Sequence, residues 1–133
     1  MRAEASLAEL IVAVSGGDRA ALRSLYQQQA TRLFGVANAI LRDRDAAADA
    51  MQDAFLRISQ RAGQFDPDRG EASAWLGGIV RYAALDLART TARRCERRLV
   101  GLTTQGRTVS PLVGRYINRV SDLLWLFARQ AEM

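Results

Sequence analysis

The sequence predicts an all-α protein: a bundle of three to four long helices, followed by a C-terminal helix. Apolar residues recur at spacings of three and four in every apolar segment of the 133 residues, and no segment alternates with period two. The apolar share of 49% fits a chain with a modest core. We expect one domain over residues 1–94, a helix end and linker over 95–110, and a C-terminal helix over 111–133.

The first two long helices follow from caps and apolar stripes. Asp18 is a candidate N-cap for a helix that ends near Arg42. The stretch DRDAAADAMQDAFLRISQRAG predicts a second helix, with Met51, Ala54, Phe55, Ile58 and Ala62 on one face. Its opposite face holds the polar residues Asp45, Asp49, Gln52 and Asp53.

A loop, a third long helix and a last helix complete the chain. QFDPDRGE contains Pro67 and a glycine among acids, which indicates a turn. From Glu71 the apolar stripe resumes with Leu76, Ile79, Val80, Ala83 and Leu87. GLTTQGRTVSP predicts a linker before a helix that begins near Pro111. SDLLWLFAR is apolar on every side, so we expect two surfaces to bury it, the second being another copy of the chain.

The charge distribution predicts an anionic partner for the second half. Residues 1–80 hold 9 arginines and 10 acids, whereas residues 81–133 hold 10 arginines and 4 acids. The net charge of +5 leaves nucleic acid, nucleotide and anionic membrane open. With no signal-peptide pattern and no apolar run of membrane-spanning length, we expect no membrane partner and a cytoplasmic protein.

The segment ILRDRDAAADAMQDAFLRISQRAGQFDPDRGEASAWLGGIVRYAALDLAR carries a family resemblance. With Leu25 and Tyr26 before it, the segment resembles the core-binding and promoter-melting domain of extracytoplasmic-function sigma factors, over about residues 6–94. Five elements agree in order: RD, QDAFL, FDPDRG, AWL, and an arginine followed by LD. Tyr82 and Gly78 depart from the pattern, because the family usually has asparagine and often a basic residue there.

The sigma resemblance implies two partners. One is the RNA polymerase core, whose largest subunit would receive Asp49, Gln52 and Asp53 on its clamp helices. The other is promoter DNA, whose minus-ten element is opened and held as a single strand. An anti-sigma factor is a further partner that the resemblance allows. The implied DNA-binding residues are Phe65, Asp66, Arg69, Trp75, Arg81, Arg89 and Arg93.

A second resemblance overlaps the first. ARTTARRCERRLVGL and VSPLVGRYINRVSDLLWLFARQAE resemble the C-terminal helices of trimeric cobalamin adenosyltransferases, over about residues 88–132. That resemblance implies ATP and cobalamin as ligands, with the ATP site between subunits, and self-association through residues 111–133. The implied nucleotide-binding residues are Arg89, Arg93, Glu96, Arg97 and Asn118, with Arg119 and Asp122 in the same polar cluster.

Catalysis is not what the sequence favours. Residues 1–87 show no likeness to the triphosphate-cradling segment of the adenosyltransferases. The chain has no histidine and Cys95 is its one cysteine, so we assign no catalytic residue, no metal site and no bound cofactor. Three hypotheses stay open at this point: a sigma-like transcription initiation module, an adenosyltransferase-like protein that binds ATP, and a regulatory fusion of the two.

Overall fold

The computed structural model describes residues 5–132. The first four residues of the expected domain 1–94 and the last residue of the expected helix 111–133 lie outside that range. Within it the chain forms five α-helices, a single 3-10 turn and no strand, which confirms the all-α prediction. The helices are α1 (Leu7–Ser15), α2 (Arg19–Leu41), α3 (Arg44–Arg61), α4 (Ala72–Thr104) and α5 (Pro111–Glu132), and the 3-10 turn is Ala62–Gln64.

The short helix α1 was not predicted from the sequence. Ser6 and Glu9 close a capping box, in which each side chain accepts a hydrogen bond from the backbone N–H of the other residue. Leu10, Ile11 and Val14 then face the bundle and are buried. With nine residues the helix is too short for periodicity to stand out, so its stability comes from packing.

Helix α2 begins and ends where the sequence predicts, and a further cap begins α3. Asp18 accepts hydrogen bonds from the backbone N–H groups of Ala20 and Ala21, which confirms it as the N-cap of α2. Arg42 ends α2 in the left-handed region, at φ 54°. Asp43 then caps α3 through the backbone N–H of Ala46. Two caps around one turn fix the angle at which α3 returns against α2.

The core lies between α1, α2, α3 and the first third of α4. The predicted stripes face it: Leu25 and Leu33 of α2, Ile58 of α3 and Leu76 of α4 have no exposed surface. Alanines at positions 37, 47, 50, 54, 83 and 84 fill the space between the helices. Small side chains let the helix axes approach closely, so the bundle is narrow and its polar faces lie on the outside.

Helix α4 is longer than the sequence suggested. It runs to Thr104, through the predicted domain boundary at residue 94 and into the predicted linker. The hydroxyls of Thr103 and Thr104 donate to carbonyls one turn earlier, which satisfies their polarity inside the helix. Gly106, at φ 77°, then ends the helix.

Helix α5 folds back along α4 in the antiparallel direction. Asn118 hydrogen-bonds Glu96, and Ala131 lies beside Gly78 at the other end of the contact. Among the helices, α5 packs closely on α4 alone. No helix within residues 5–132 has the length and apolar character that crossing a membrane requires.

Candidate functional site

The polar face of α3 is open to solvent beside an apolar groove. Asp49 and Gln52 are exposed on α3, and Gln52 borders the groove together with the buried Met51. The groove next to them has a volume of 610 Å³. Its lining residues come from α2 and α3: Tyr26, Ala30, Thr31, Phe34, Ala48, Met51, Gln52 and Phe55. A surface that combines polar groups with an unfilled apolar groove suits a helical partner.

Asp53, the third predicted docking residue, is tied into an ion-pair chain. Its Oδ2 lies 2.7 Å from Nε of Arg57, and Nη2 of Arg57 lies 3.6 Å from Oδ2 of Asp86 on α4. Asp86 Oδ1 in turn accepts from Nη2 of Arg89 at 2.9 Å. The chain joins a predicted polymerase-docking residue to a predicted DNA-binding residue, so the two surfaces are not independent.

Arg57 is the centre of this chain and stays charged. Burial on its own lowers the pKa of the Arg57 guanidinium, but the hydrogen bond and the charge of Asp53 outweigh it and the net pKa is raised. The guanidinium also lies 4.7 Å from the ring centroid of Tyr82, a cation–π contact. The cation therefore holds α3 and α4 together at their polar edge.

The loop between α3 and α4 holds three of the predicted DNA-binding residues, and a fourth, Trp75, lies in the first turn of α4. Phe65 is buried and packs against Trp75, with 5.3 Å between the ring centroids, so both rings lie at the edge of the core. Asp66 accepts the backbone N–H of Asp68 at 2.9 Å and shapes the turn. The Arg69 side chain is 88% exposed, and its Nε lies 3.6 Å from Oδ2 of Asp66.

The predicted DNA-binding arginines of α4 differ in what surrounds them. Arg81 is exposed and lies over Gly77, with Nη2 3.9 Å from where a Cβ would be. Arg89 is held by Asp86, and Arg93 lies 3.6 Å from Glu96. Arg81 borders a cavity lined by α4, α5 and Ile40 of α2, and Arg89 borders a cavity between α4 and α5. The basic face of α4 is thus partly covered by the chain's own last helix.

The predicted nucleotide-binding residues are brought together only in part. Asn118 Nδ2 donates to Glu96 Oε1 at 3.0 Å, and Arg93 pairs with the other carboxylate oxygen. Arg97 is exposed on α4, and Arg89 turns toward Asp86 instead of this cluster. The structure therefore places three of the five at one point of the α4–α5 contact.

Sequence reasoning missed Arg57, Tyr82 and Asp86. The i, i+4 spacing of Asp53 and Arg57 could have indicated their ion pair. The pairing of Arg57 with Asp86 joins two helices, and spacing within one helix contains no information about it. Tyr82 had a visible signal, since it departs from the sigma pattern, and the structure places it between Arg57 and α5.

A family model described as cobalamin adenosyltransferase matches residues 2–131. Because that match covers nearly the whole all-helical chain, the protein belongs to the cobalamin adenosyltransferase family. Sequence analysis confined this likeness to residues 88–132 and found none in residues 1–87, so the match extends the likeness through α1, α2 and α3.

Similar curated proteins include sigma factors, a different class of protein from the adenosyltransferases. The chain is 31% identical over 88 residues to the ECF RNA polymerase sigma factor SigK of Mycobacterium tuberculosis (strain H37Rv), covering 66% of this chain and 47% of the relative. SigK of Mycobacterium sp. (strain KMS) is 30% identical over 88 residues, covering 66% of this chain and 46% of the relative. The chain thus spans about half the length of these relatives, which supports a similarity to part of a sigma factor.

Proposed function

We propose that the chain is a sigma-like transcription initiation module. Its α3 docks on the RNA polymerase core, and its α4 with the preceding loop binds single-stranded minus-ten promoter DNA. The observation that carries the proposal is the exposed Asp49 and Gln52 edge beside the 610 Å³ apolar groove. The 88-residue similarity to mycobacterial sigma factors, which includes this edge, supports it.

The test of polymerase docking is a charge change on α3. Asp53 is a poor target, because its reversal would place an arginine beside Arg57 and break the ion-pair chain. Asp49→Arg with Gln52→Arg leaves that chain intact. We expect this variant to lose at least about tenfold in affinity for core polymerase, since like charge at an interface is costly and each factor of ten is about 1.4 kcal/mol.

The matched control carries the same change in charge at a distance from α3. Asp122→Arg with Gln105→Arg alters exposed residues of α5 and of the turn before it. Affinity is measured by surface plasmon resonance at fixed ionic strength, with circular dichroism to show that both variants are folded. Equal binding by the α3 variant, the control and the parent protein would remove polymerase docking through this face.

A second candidate function is nucleotide binding, and the α4–α5 cluster of Arg93, Glu96 and Asn118 is the observation that favours it. An arginine and an amide that meet at one carboxylate can turn to phosphate and base groups when a nucleotide displaces that carboxylate. ATP would be the ligand by family resemblance, with a second subunit completing the site. Cobalamin enters this candidate only through the family match.

Calorimetric titration with ATP tests this candidate. Binding should weaken at least about tenfold in Arg93→Gln with Asn118→Ala. The control is Arg69→Gln, which removes an arginine far along the chain from the cluster. Equal heats of binding for the cluster variant and the control would contradict the nucleotide site. ATP binding without any affinity for polymerase would favour this candidate over the sigma-like one.

A further inference from the structure

Helix α5 packs against the part of α4 that carries the proposed DNA-binding residues Arg81, which is exposed, and Arg89, which is half-buried. Tyr82, Asp86 and Arg89 of α4 share a cavity of 180 Å³ with Trp125, Ala128 and Arg129 of α5. One turn away, Arg81 and Leu85 share a cavity of 560 Å³ with Phe127, Gln130 and Ala131. A nucleic-acid strand cannot lie along this face of α4 while α5 occupies it.

The two departures from the sigma pattern lie on this covered face. Gly78, where a basic residue is frequent, lies 3.8 Å, measured from the position of its missing Cβ, from the backbone oxygen of Ala131. A long basic side chain at that position would meet the end of α5. Tyr82 lines the cavities on both sides of this point. Both residues therefore fit α4 to a helix partner.

The covering helix is separable from the core. The core cluster contains residues of α1 to α4 and of the turn before α4, and none of α5. Within the described part of α5, the buried residues are Ser121 and Ala128. The Ser121 hydroxyl has no hydrogen-bond partner among the described residues, and an unsatisfied buried hydroxyl weakens the contact it lies in. Detachment of α5 would thus leave the bundle closed.

We propose that α5 is an autoinhibitory lid on the DNA-binding face of α4. In the closed state α5 and a single strand compete for the surface around Arg81 and Arg89. In the open state the six-residue turn between α4 and α5 lets the helix move away, and the half-buried Arg89 and the surface beside the exposed Arg81 become fully accessible. The lid rests on the sigma-like function proposed above, since it regulates that same site. The observed affinity for DNA equals the affinity of the open state multiplied by the fraction of molecules that are open.

Substitutions at Ser121 and Ala128, buried residues of α5, test the lid in the full chain without altering its charge. Ser121→Gln with Ala128→Gln places two long polar side chains against α4 and opens the lid. Leu112→Gln with Leu126→Gln is the control, since both leucines are exposed on the outside of the same helix. Ser121→Ala removes the unsatisfied hydroxyl and should hold the lid more firmly. Fluorescence anisotropy with a labelled DNA single strand of about 15 nucleotides reports affinity at one salt concentration.

We expect the opened variant to bind the oligonucleotide at least about tenfold more tightly than the parent protein, with the control within twofold of it. Ser121→Ala should bind more weakly than the parent. If the opened variant fails to fold by circular dichroism, Ser121→Ala decides, because it keeps the α4–α5 contact intact. Binding by Ser121→Ala that is equal to or tighter than that of the parent overturns the lid.

Polymerase binding by the same proteins separates the lid from the function it rests on. Suppose that the parent and the opened variant both bind core polymerase and have equal affinities for the oligonucleotide. The lid is then wrong and the sigma-like function stands. If the opened variant gains affinity for DNA and no protein binds polymerase, the lid is supported and the sigma-like function falls. A folded opened variant that binds neither partner overturns both.

Discussion

The bundle of α1, α2, α3 and the start of α4 differs from the hairpin made by the rest of α4 and α5. In the bundle the large apolar side chains are mostly inside, and Ile11, Leu25, Leu33, Ile58 and Leu76 have no exposed surface. In the hairpin they are mostly outside, with Leu112 and Tyr116 each 71% exposed. The bundle is closed on itself, whereas the hairpin has one face packed and another that lacks a partner in the single chain.

The difference teaches that the two regions have different sources of stability. The bundle holds itself by apolar burial, which is large and independent of concentration. The hairpin is held by the α4–α5 contact, which is the most extensive helix–helix contact among the described residues and consists of small residues and a few polar groups. Changes of stability should therefore concentrate in the bundle, and changes of association and regulation in the hairpin.

The largest expected effect comes from one leucine in each region. Leu33→Ala removes a fully buried side chain from the bundle and should lower the free energy of unfolding by about 2–5 kcal/mol. Leu126→Ala makes the same change on α5, where the side chain is 55% exposed, and should cost less than about 0.5 kcal/mol. Urea denaturation followed by circular dichroism measures both, and equal losses would contradict the division into two regions.

An intermediate effect is expected on self-association. Val113, Tyr116 and Leu123 are exposed and, with the half-buried Val120, recur at spacings of three and four as an apolar stripe of α5. We expect this stripe to pair with a second copy at micromolar concentration, and Tyr116→Ser with Leu123→Ser to weaken pairing at least about tenfold. Tyr26→Ser with Leu56→Ser removes comparable exposed side chains elsewhere and should leave sedimentation unchanged. A parent protein that sediments as a monomer at about 100 μM would disprove pairing.

The smallest effect concerns the ion-pair chain at the border of the two regions. Arg57→Gln removes the cation between Asp53 and Asp86 and should lower the free energy of unfolding by about 1 kcal/mol, because the side chain is only 21% exposed. Arg69→Gln removes an arginine with an 88% exposed side chain and should have no measurable effect. The difference should shrink at high salt. Equal denaturation curves for both variants would show that the chain contributes nothing.

The sequence predicted three of the four bundle helices and missed α1, and it did not predict how α5 packs on α4. Spacing along the helix predicts that Leu25, Ile58 and Leu76 are buried, and the residue type of Asp18 predicts a helix start. Both signals are local in the sequence. The contact between α4 and α5 uses Gly78, Tyr82, Arg89 and Glu96, which carry no apolar stripe. Partners such as Arg57 and Asp86 belong to different helices, so their contact follows only from the three-dimensional arrangement. The sequence named the arginines of the candidate site and could not show what covers them.

Helix α4 passes without interruption from the bundle into the hairpin. The number of residues in α4 therefore determines the direction in which its second half, and α5 with it, faces. Gly78, Tyr82, Leu85, Arg89 and Glu96 face α5 and recur at spacings of three, four and seven. Each residue inserted or deleted between the two regions would turn everything beyond it by about 100° around the helix axis. A single-residue deletion near position 88 would thus point α5 away from the arginines it covers, whereas removal of seven residues would restore its direction to within about 20°.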